Sequence, residues 1–331
     1  MEECAGTSLR KAGAVAALIL QPVVWDGVKE ARADEAGASM WIPGEIASFA
    51  AVPADPGPLL VLNYYQRQVT SGATRGIGDG FTLSATAETP EQYVFVGTGY
   101  TFADPVLNGR LFLGATFTFG HTGTTVWSML SGPEGYSESS TAYDSMTGIG
   151  DIYPEAELKW AVGPHNFMTY TMVNVPAGQY DPNRIVSLGI GHWAIDAGLG
   201  YTFLSPSGLE FSVVAGLTYN FMNPTTQYQS GIDGHVDWAA SYSLTENFYL
   251  GAVGYFYNQL SPDSGPGALA GPFQSKVSAV GPQIGHGFVL GPVQFELNLR
   301  GYKEFDIENR AGGWNVWLTL ALSRKHGAAS R

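Results

Sequence analysis

The sequence predicts an all-β fold: a transmembrane antiparallel β-barrel of about twelve strands with an N-terminal plug-like segment. Three observations predict it. Segments of roughly ten or more residues with period-two alternation, separated by Gly, Pro, Asn or Asp, recur from Leu59 to Leu322. Charged residues make up only 14% of the chain, against about 25% in soluble domains, while the 45% hydrophobic residues are diluted by 43 glycines to a mean hydropathy of +0.01. After the N-terminal region no stretch reaches about 18 uninterrupted apolar residues, so a membrane would be crossed by strands and not by helices.

Taken in chain order, residues 1–33 have the three parts of a secretory signal peptide. They are a start ending in Arg10-Lys11, an apolar run from Ala12 to Trp25, and the small-residue sequence Ala31-Arg32-Ala33 before Asp34. The only cysteine, Cys4, lies in this part and precedes the apolar run, which excludes a lipoprotein anchor. The exported chain then has no thiol for a disulfide, a zinc site or a nucleophile. Residues 34–57 follow as a periplasmic or plug segment rich in Pro and Ala. Trp41, Ile42 and Phe49 are expected to pack inside the barrel, because they would be unfavourable in an exposed tail.

The barrel occupies residues 58–323, with expected strands near 58–68, 80–102, 110–120, 145–160, 165–175, 187–203, 209–222, 231–244, 247–259, 273–288, 292–303 and 313–323. The alternation is plain in Trp193, Ile195, Ala197, Leu199, Tyr201 and Phe203 against His192, Asp196 and Thr202. It recurs in Leu209, Phe211, Val213 and Leu217 against Glu210, Ser212 and Thr218. A soluble sandwich also alternates, but these segments exceed the usual five or six residues, and aromatics sit at their ends, where interfacial girdles belong. An even count places both ends on the periplasmic side, with short turns there and longer outer loops such as Thr122 to Asp144 and Ser261 to Pro272. Residues 324–331 form a basic tail, so the barrel-assembly machinery would read Trp317 to Leu322 internally.

Several motifs then look familiar. They are Trp41-Ile42-Pro43-Gly44, Gly150-Asp151-Ile152-Tyr153-Pro154 with Leu158-Lys159-Trp160, Leu188-Gly189-Ile190-Gly191-His192, Gly281-Pro282-Gln283-Ile284-Gly285, and Gly301-Tyr302-Lys303-Glu304-Phe305 with Gly313-Trp314-Asn315-Val316-Trp317. Over nearly the whole exported chain it resembles the family named after the meta pathway of phenol degradation, which includes SphA-like outer-membrane proteins. That resemblance implies an outer-membrane location in a Gram-negative bacterium and passive uptake of small hydrophobic or aromatic compounds. It supplies no catalytic, ligand or cofactor residues.

The residues themselves suggest a polar lumen lined by Glu155, Glu157, Lys159, His192, Asp196, Glu210, His235, Asp237, Glu296 and Arg300, whose charges must pair whatever passes through. His235 between Asp233 and Asp237 invites a metal, but residues two apart on a strand stand nearly 7 Å from one another and share one ion poorly. Tyr136, Tyr143, Tyr180, Tyr228 and Phe273 are candidate first contacts for ligand in the outer loops, or else members of the aromatic girdle. A net charge of -13 without a basic stripe excludes a nucleic-acid binder. The expected partners are outer-membrane lipids and small hydrophobic or aromatic molecules, with no cofactor. A structural barrel without transport is one alternative. An outer-membrane lipase is the other, with His165 and His286 as candidates, although no Gly-x-Ser-x-Gly elbow occurs.

Overall fold

The computed structural model describes residues 35–269 and 271–324. The expected signal peptide, and the expected tail beyond residue 324, lie outside the described residues. Twelve strands form in chain order: β1 (Gly57–Gly78), β2 (Phe81–Thr101), β3 (Arg110–Ser131), β4 (Ser137–Val162), β5 (His165–Asn174), β6 (Ala194–Leu204), β7 (Leu209–Asn220), β8 (Asp233–Thr245), β9 (Phe248–Gln259), β10 (Lys276–Leu290), β11 (Val293–Glu308) and β12 (Gly312–Arg324). Each pairs antiparallel with its sequence neighbours, and β12 closes on β1 from Leu59↔Ser323 to Thr70↔Gly312. Closure leaves no free barrel edge, which a bilayer requires, since lipid offers no partner to an orphaned N–H or C=O. Among the described residues no helix is long and apolar enough to cross a membrane.

The alternation sets which face meets lipid. On β6, Asp196 and Thr202 are fully buried, while Ile195 and Leu199 stand exposed on the outside; on β7, Glu210, Ser212 and Thr218 turn inward and Phe211 and Leu217 outward. With Leu250, Phe256, Leu299 and Leu318 the exterior is an apolar band, of the kind that faces hydrocarbon. At the rim that holds the short turns, His165 donates to or accepts from the Tyr201 hydroxyl at 2.8 Å, and His286 lies between Phe248 and Phe288. Both histidines therefore belong to an aromatic girdle at that rim.

The wall is uneven in height. β1 to β4 are 22, 21, 22 and 26 residues long, whereas β5 to β9 have 10 to 13. The β3–β4 ladder continues to Ser131↔Ser137, so the expected outer loop from Thr122 to Asp144 is mostly strand, closed by a turn at Pro133–Gly135. Its Ser/Thr-rich composition suggests a loop, but β-branched Thr suits a pleated surface, and the backbone finds its partners across the hairpin. The expected strand at 187–203 is shorter for the opposite reason: only Ala194–Leu204 is strand.

Residues 175–193 instead fold back over the opening against β4, whose pairing with β5 stops at Glu155↔Met172. The Asp151 carboxylate accepts the N–H groups of Gly178 at 2.8 Å and Ile190 at 2.9 Å. A side chain at Gly178 would meet the Gly150 carbonyl carbon at 2.6 Å, so the close approach requires glycine. Arg184 donates to Asp144, which also accepts from the Ile185 and Val186 N–H groups. Ile185 packs on Leu83, Ala87 and Val126, and Val186 and Leu188 pack on Met146.

Asp144→Ala removes the acceptor that holds Arg184 and the N–H groups of Ile185 and Val186. In the folded barrel, trypsin is expected to cut after Arg184 at least about tenfold faster in D144A than in the parent. Unchanged cleavage would show that this contact does not hold the loop.

Candidate functional site: the lumen

Residues 35–56 run lengthwise inside the wall. Residue 57 begins β1 at the rim of the short turns, while at the other end the Glu35 N–H donates to Ser230 and the Glu35 carboxylate accepts from Tyr180 at 2.8 Å and Asn223 at 2.7 Å. Ser230 and Asn223 belong to the β7–β8 loop and Tyr180 to the β5–β6 loop. The strand ends thus share one rim, as an even count requires, but the segment before β1 reaches the opposite mouth. Burial, and then the bond to Glu35, pushes the Tyr180 phenol well above its ordinary range and keeps it a neutral donor.

Polar side chains of β6 to β11 hold this segment by its backbone. Asp237 accepts the N–H groups of Gly44 at 3.1 Å and Ile46 at 3.3 Å, and Arg300 donates to the carbonyls of Gly44 at 3.1 Å and Glu45 at 2.6 Å. Gly44 sits at φ +86, and a Cβ there would meet the Tyr302 ring at 3.0 Å, so the bend between these two anchors requires glycine. Glu210 accepts from the Ser48 hydroxyl at 2.8 Å, the Phe49 N–H at 3.0 Å and Ser241 at 2.6 Å, and the Ala51 N–H donates to Thr202 at 3.0 Å. A coil segment inside a barrel has no ladder of its own, so these side chains supply the partners its backbone needs.

Apolar contacts complete the fit. Trp41 is fully buried and stacks on His235 at 3.7 Å between ring centroids, beside Met168, Tyr170 and Met172. His235 contacts Asp196 at 3.0 Å, and Asp196 also accepts from Tyr170 and Thr218. Ile42 packs on a cluster that includes Tyr65, Phe95, Tyr255 and Trp317, and Phe49 meets Tyr249 edge-on at 5.1 Å.

The polar anchors lie on β6 to β11, and on the side of β1 to β4 the segment makes apolar contacts that leave two cavities. An outer cavity of about 160 Å³ is lined there by Tyr65, Arg67, Tyr93, Phe95, Tyr153 and Arg310, among others. A second cavity of about 360 Å³ lies nearer the short turns, with Val61, Asn63, Gly97, Thr116 and Glu155 on its wall. Neighbouring inward positions on each strand divide between the two: Tyr65 and Asn63 on β1, Phe95 and Gly97 on β2, Tyr153 and Glu155 on β4. The rings of Tyr65, Phe95 and Tyr153 form a collar between the two cavities, Ile42 packing on the cluster of Tyr65 and Phe95 and Tyr153 on the cluster of Trp41. Tyr65 and Phe95 are braced by Trp317 at 4.4 and 5.7 Å.

The sequence-selected residues divide into three roles. Asp196, Glu210, His235, Asp237 and Arg300 are bound to the segment or to the groups that touch it, while Glu155, Glu157, Lys159 and Glu296 line the inner cavity, Lys159 paired with Glu157 at 2.9 Å. His192 bonds the Ile190 carbonyl and Asn220, and its role is to support the loop wall. Asp233 takes the Asn220 amide and Asp237 the segment's N–H groups, so the carboxylates flanking His235 have separate partners. Among the described residues no group of three His, Cys, Asp or Glu is placed to hold a metal.

Of the five outer-loop aromatics, Tyr180 lines the outer cavity. Tyr228 donates to Asp263 beside the mouth, and Phe273 lies half-buried in the β9–β10 loop. Tyr136 packs against Phe81 at the turn of the β3–β4 hairpin, and Tyr143 is 66% exposed on β4. The collar residues and Arg310 were not selected from the sequence. The signal was weak, because both faces of β1 carry apolar residues, Leu59 and Val61 inward and Leu60 and Leu62 outward.

A family model described as "Putative MetA-pathway of phenol degradation" matches residues 65–320. Among solved structures the chain is similar to the COG4313 outer membrane channel from Pseudomonas putida F1, at 15% identity and a TM-score of 0.59 over 86% of this chain and 99% of that one. A FadL homologue from Pseudomonas aeruginosa matches at 10% identity and a TM-score of 0.38, over 83% of this chain and 95% of that one. The first likeness shows a shared fold, and the second is too slight to add to it. No curated protein is matched.

The Asp237 anchor can be read with a cysteine reporter at Ala50, in a chain beginning at residue 34 and therefore without a cysteine of its own. Loss of two bonds to a buried carboxylate in D237A is expected to raise maleimide labelling of the A50C variant about tenfold or more. Equal labelling in the two backgrounds would show that Asp237 does not hold the segment.

Proposed function

The chain belongs to the phenol-degradation family whose model matches residues 65–320, and on that premise we propose that it is an outer-membrane channel for passive uptake of small hydrophobic or aromatic compounds. One observation carries the reading: two cavities beside residues 35–56, one toward each mouth of the barrel, with a collar of aromatic rings between them. Aromatic faces offer a passing ring stacked or edge-on contacts of about 0.5–1.5 kcal/mol, enough to select and too little to trap. The N-terminal segment acts as a partial plug that narrows a lumen wider than that of an eight-stranded barrel.

The likeness to a protein that is itself an outer membrane channel supports this reading. Downhill passage needs neither a catalytic group nor a cofactor. The partners are the lipids against the apolar exterior, the aromatic cargo, and the assembly machinery that inserts the barrel.

The test is conductance in planar bilayers together with aromatic-solute uptake into liposomes, on the refolded chain and on a form lacking residues 35–56. The deletion is expected to raise conductance several-fold and to weaken discrimination between solutes. If it changes neither conductance nor uptake, the plugged-channel reading is wrong. An intact barrel without any flux would be a structural protein.

A further inference from the structure

We propose that the outer cavity is a binding station for uncharged aromatic molecules carrying a hydrogen-bond-accepting oxygen, and that Arg310 is the residue that recognises this oxygen. The proposal rests on the channel reading and narrows its cargo.

Arg310 sits in the short connection between β11 and β12, with its guanidinium carbon 4.6 Å from the centre of the Tyr257 ring, and it lines the outer cavity. Its Nε and Nη1 atoms are buried and make no hydrogen bond. The other guanidinium of the cavity, that of Arg67, is engaged through both Nη atoms, which face Glu91 at 3.4 Å and Glu304 at 3.6 Å and donate to the Ala311 carbonyl at 3.2 Å, and only its Nε is left without an acceptor. Buried donors without acceptors are costly and favour any ligand atom that accepts from them.

The rest of the wall fixes what that atom is attached to. Tyr65, Tyr93 and Phe95 stand within 6.5 Å of one another, centroid to centroid, and Tyr153 and Tyr255 line the same space, so the surroundings of Arg310 suit a flat ring. A cavity of about 160 Å³ is a single-ring volume, since one of roughly 150 Å³ holds benzene. Charge excludes the aromatic acids. Glu35, Glu91 and Glu304 outnumber Arg67 and Arg310 on the lining, so a carboxylate ligand would add to an existing negative excess. A carbonyl, ether or phenol oxygen accepts from Arg310 without that cost.

The experiment is calorimetric titration of the refolded full-length exported chain in detergent with acetophenone, toluene and benzoate. Acetophenone is expected to bind about tenfold tighter than toluene, the effect of one hydrogen bond to a charged donor, and benzoate about tenfold or more weaker than acetophenone. Arg310→Met keeps an apolar stem over Tyr257, and it is expected to erase the preference by bringing the affinities for acetophenone and toluene together. If folded R310M, checked by its strand circular dichroism, keeps that preference, or if benzoate binds the parent as well as acetophenone does, the proposal is overturned. Liposome flux separates the two levels. Toluene flux with no preference for acetophenone removes the role of Arg310 and leaves the channel, whereas absence of flux for all three solutes removes the channel reading itself.

Discussion

A closed barrel of this size encloses a polar inner wall that cannot be left unsatisfied, and the pairing of that wall with the backbone of residues 35–56 is the interaction on which the rest depends. Asp237, Glu210 and Arg300 each contact the segment through hydrogen bonds in a space largely shielded from solvent. Removing one partner there leaves the other buried and unpaired, which costs more than the bond contributed. The segment therefore stabilises the wall as much as the wall holds the segment. Trp41 on His235 and Ile42 on the Tyr65–Trp317 cluster add directional packing to this polar frame.

The asymmetry of the anchors determines where passage is possible. They come from β6 to β11, the side whose outer rim is formed largely by short strands and long loops, while β1 to β4 rise as a tall sheet with inward Thr and aromatic side chains. The β5–β6 loop then fills the angle between the two sides by bonding Asp151 and Asp144 at the edge of β4 that β5 leaves free. A single constraint, an inner wall that must be paired, thus yields a segment anchored by polar groups on one side and bordered by two cavities on the other.

The barrel itself was legible because its signal is local and repeated. Ile195, Ala197 and Leu199 against Asp196 and Thr202 declare two faces from one strand alone, and the short turns fall at Gly, Pro and Asn as strand ends require. What was not legible is non-local or conditional. Nothing in Asp237 distinguishes a carboxylate that caps the backbone of residue 44 from one that simply faces water. The run from Ser137 to Thr141 has a loop's composition and becomes strand because Trp127 and Ser128 lie opposite. Residues 187–193 continue an alternating pattern, yet the Asp151 carboxylate takes the Ile190 N–H that a ladder would otherwise use. Arg310, in a turn between two strands, has the sequence context of a solvated charge, and only the pairing of β9, β10 and β11 side by side brings it over Tyr257.

The same geometry bears on how the chain is assembled. Residues 35–56 extend from the rim of β1 to the loops of the opposite mouth, and their side chains include Trp41, stacked on His235, and Phe49, edge-on to Tyr249. Threading such a segment into a finished barrel would carry the Trp41 ring from the rim of the short turns through the lumen to His235. Its polar anchors reside on strands that follow one another from β6 to β11, and they can form before β12 meets β1. Seating in that order would leave closure at the Leu59–Ser323 to Thr70–Gly312 seam to enclose the segment, with the inner wall paired before the last ladder forms.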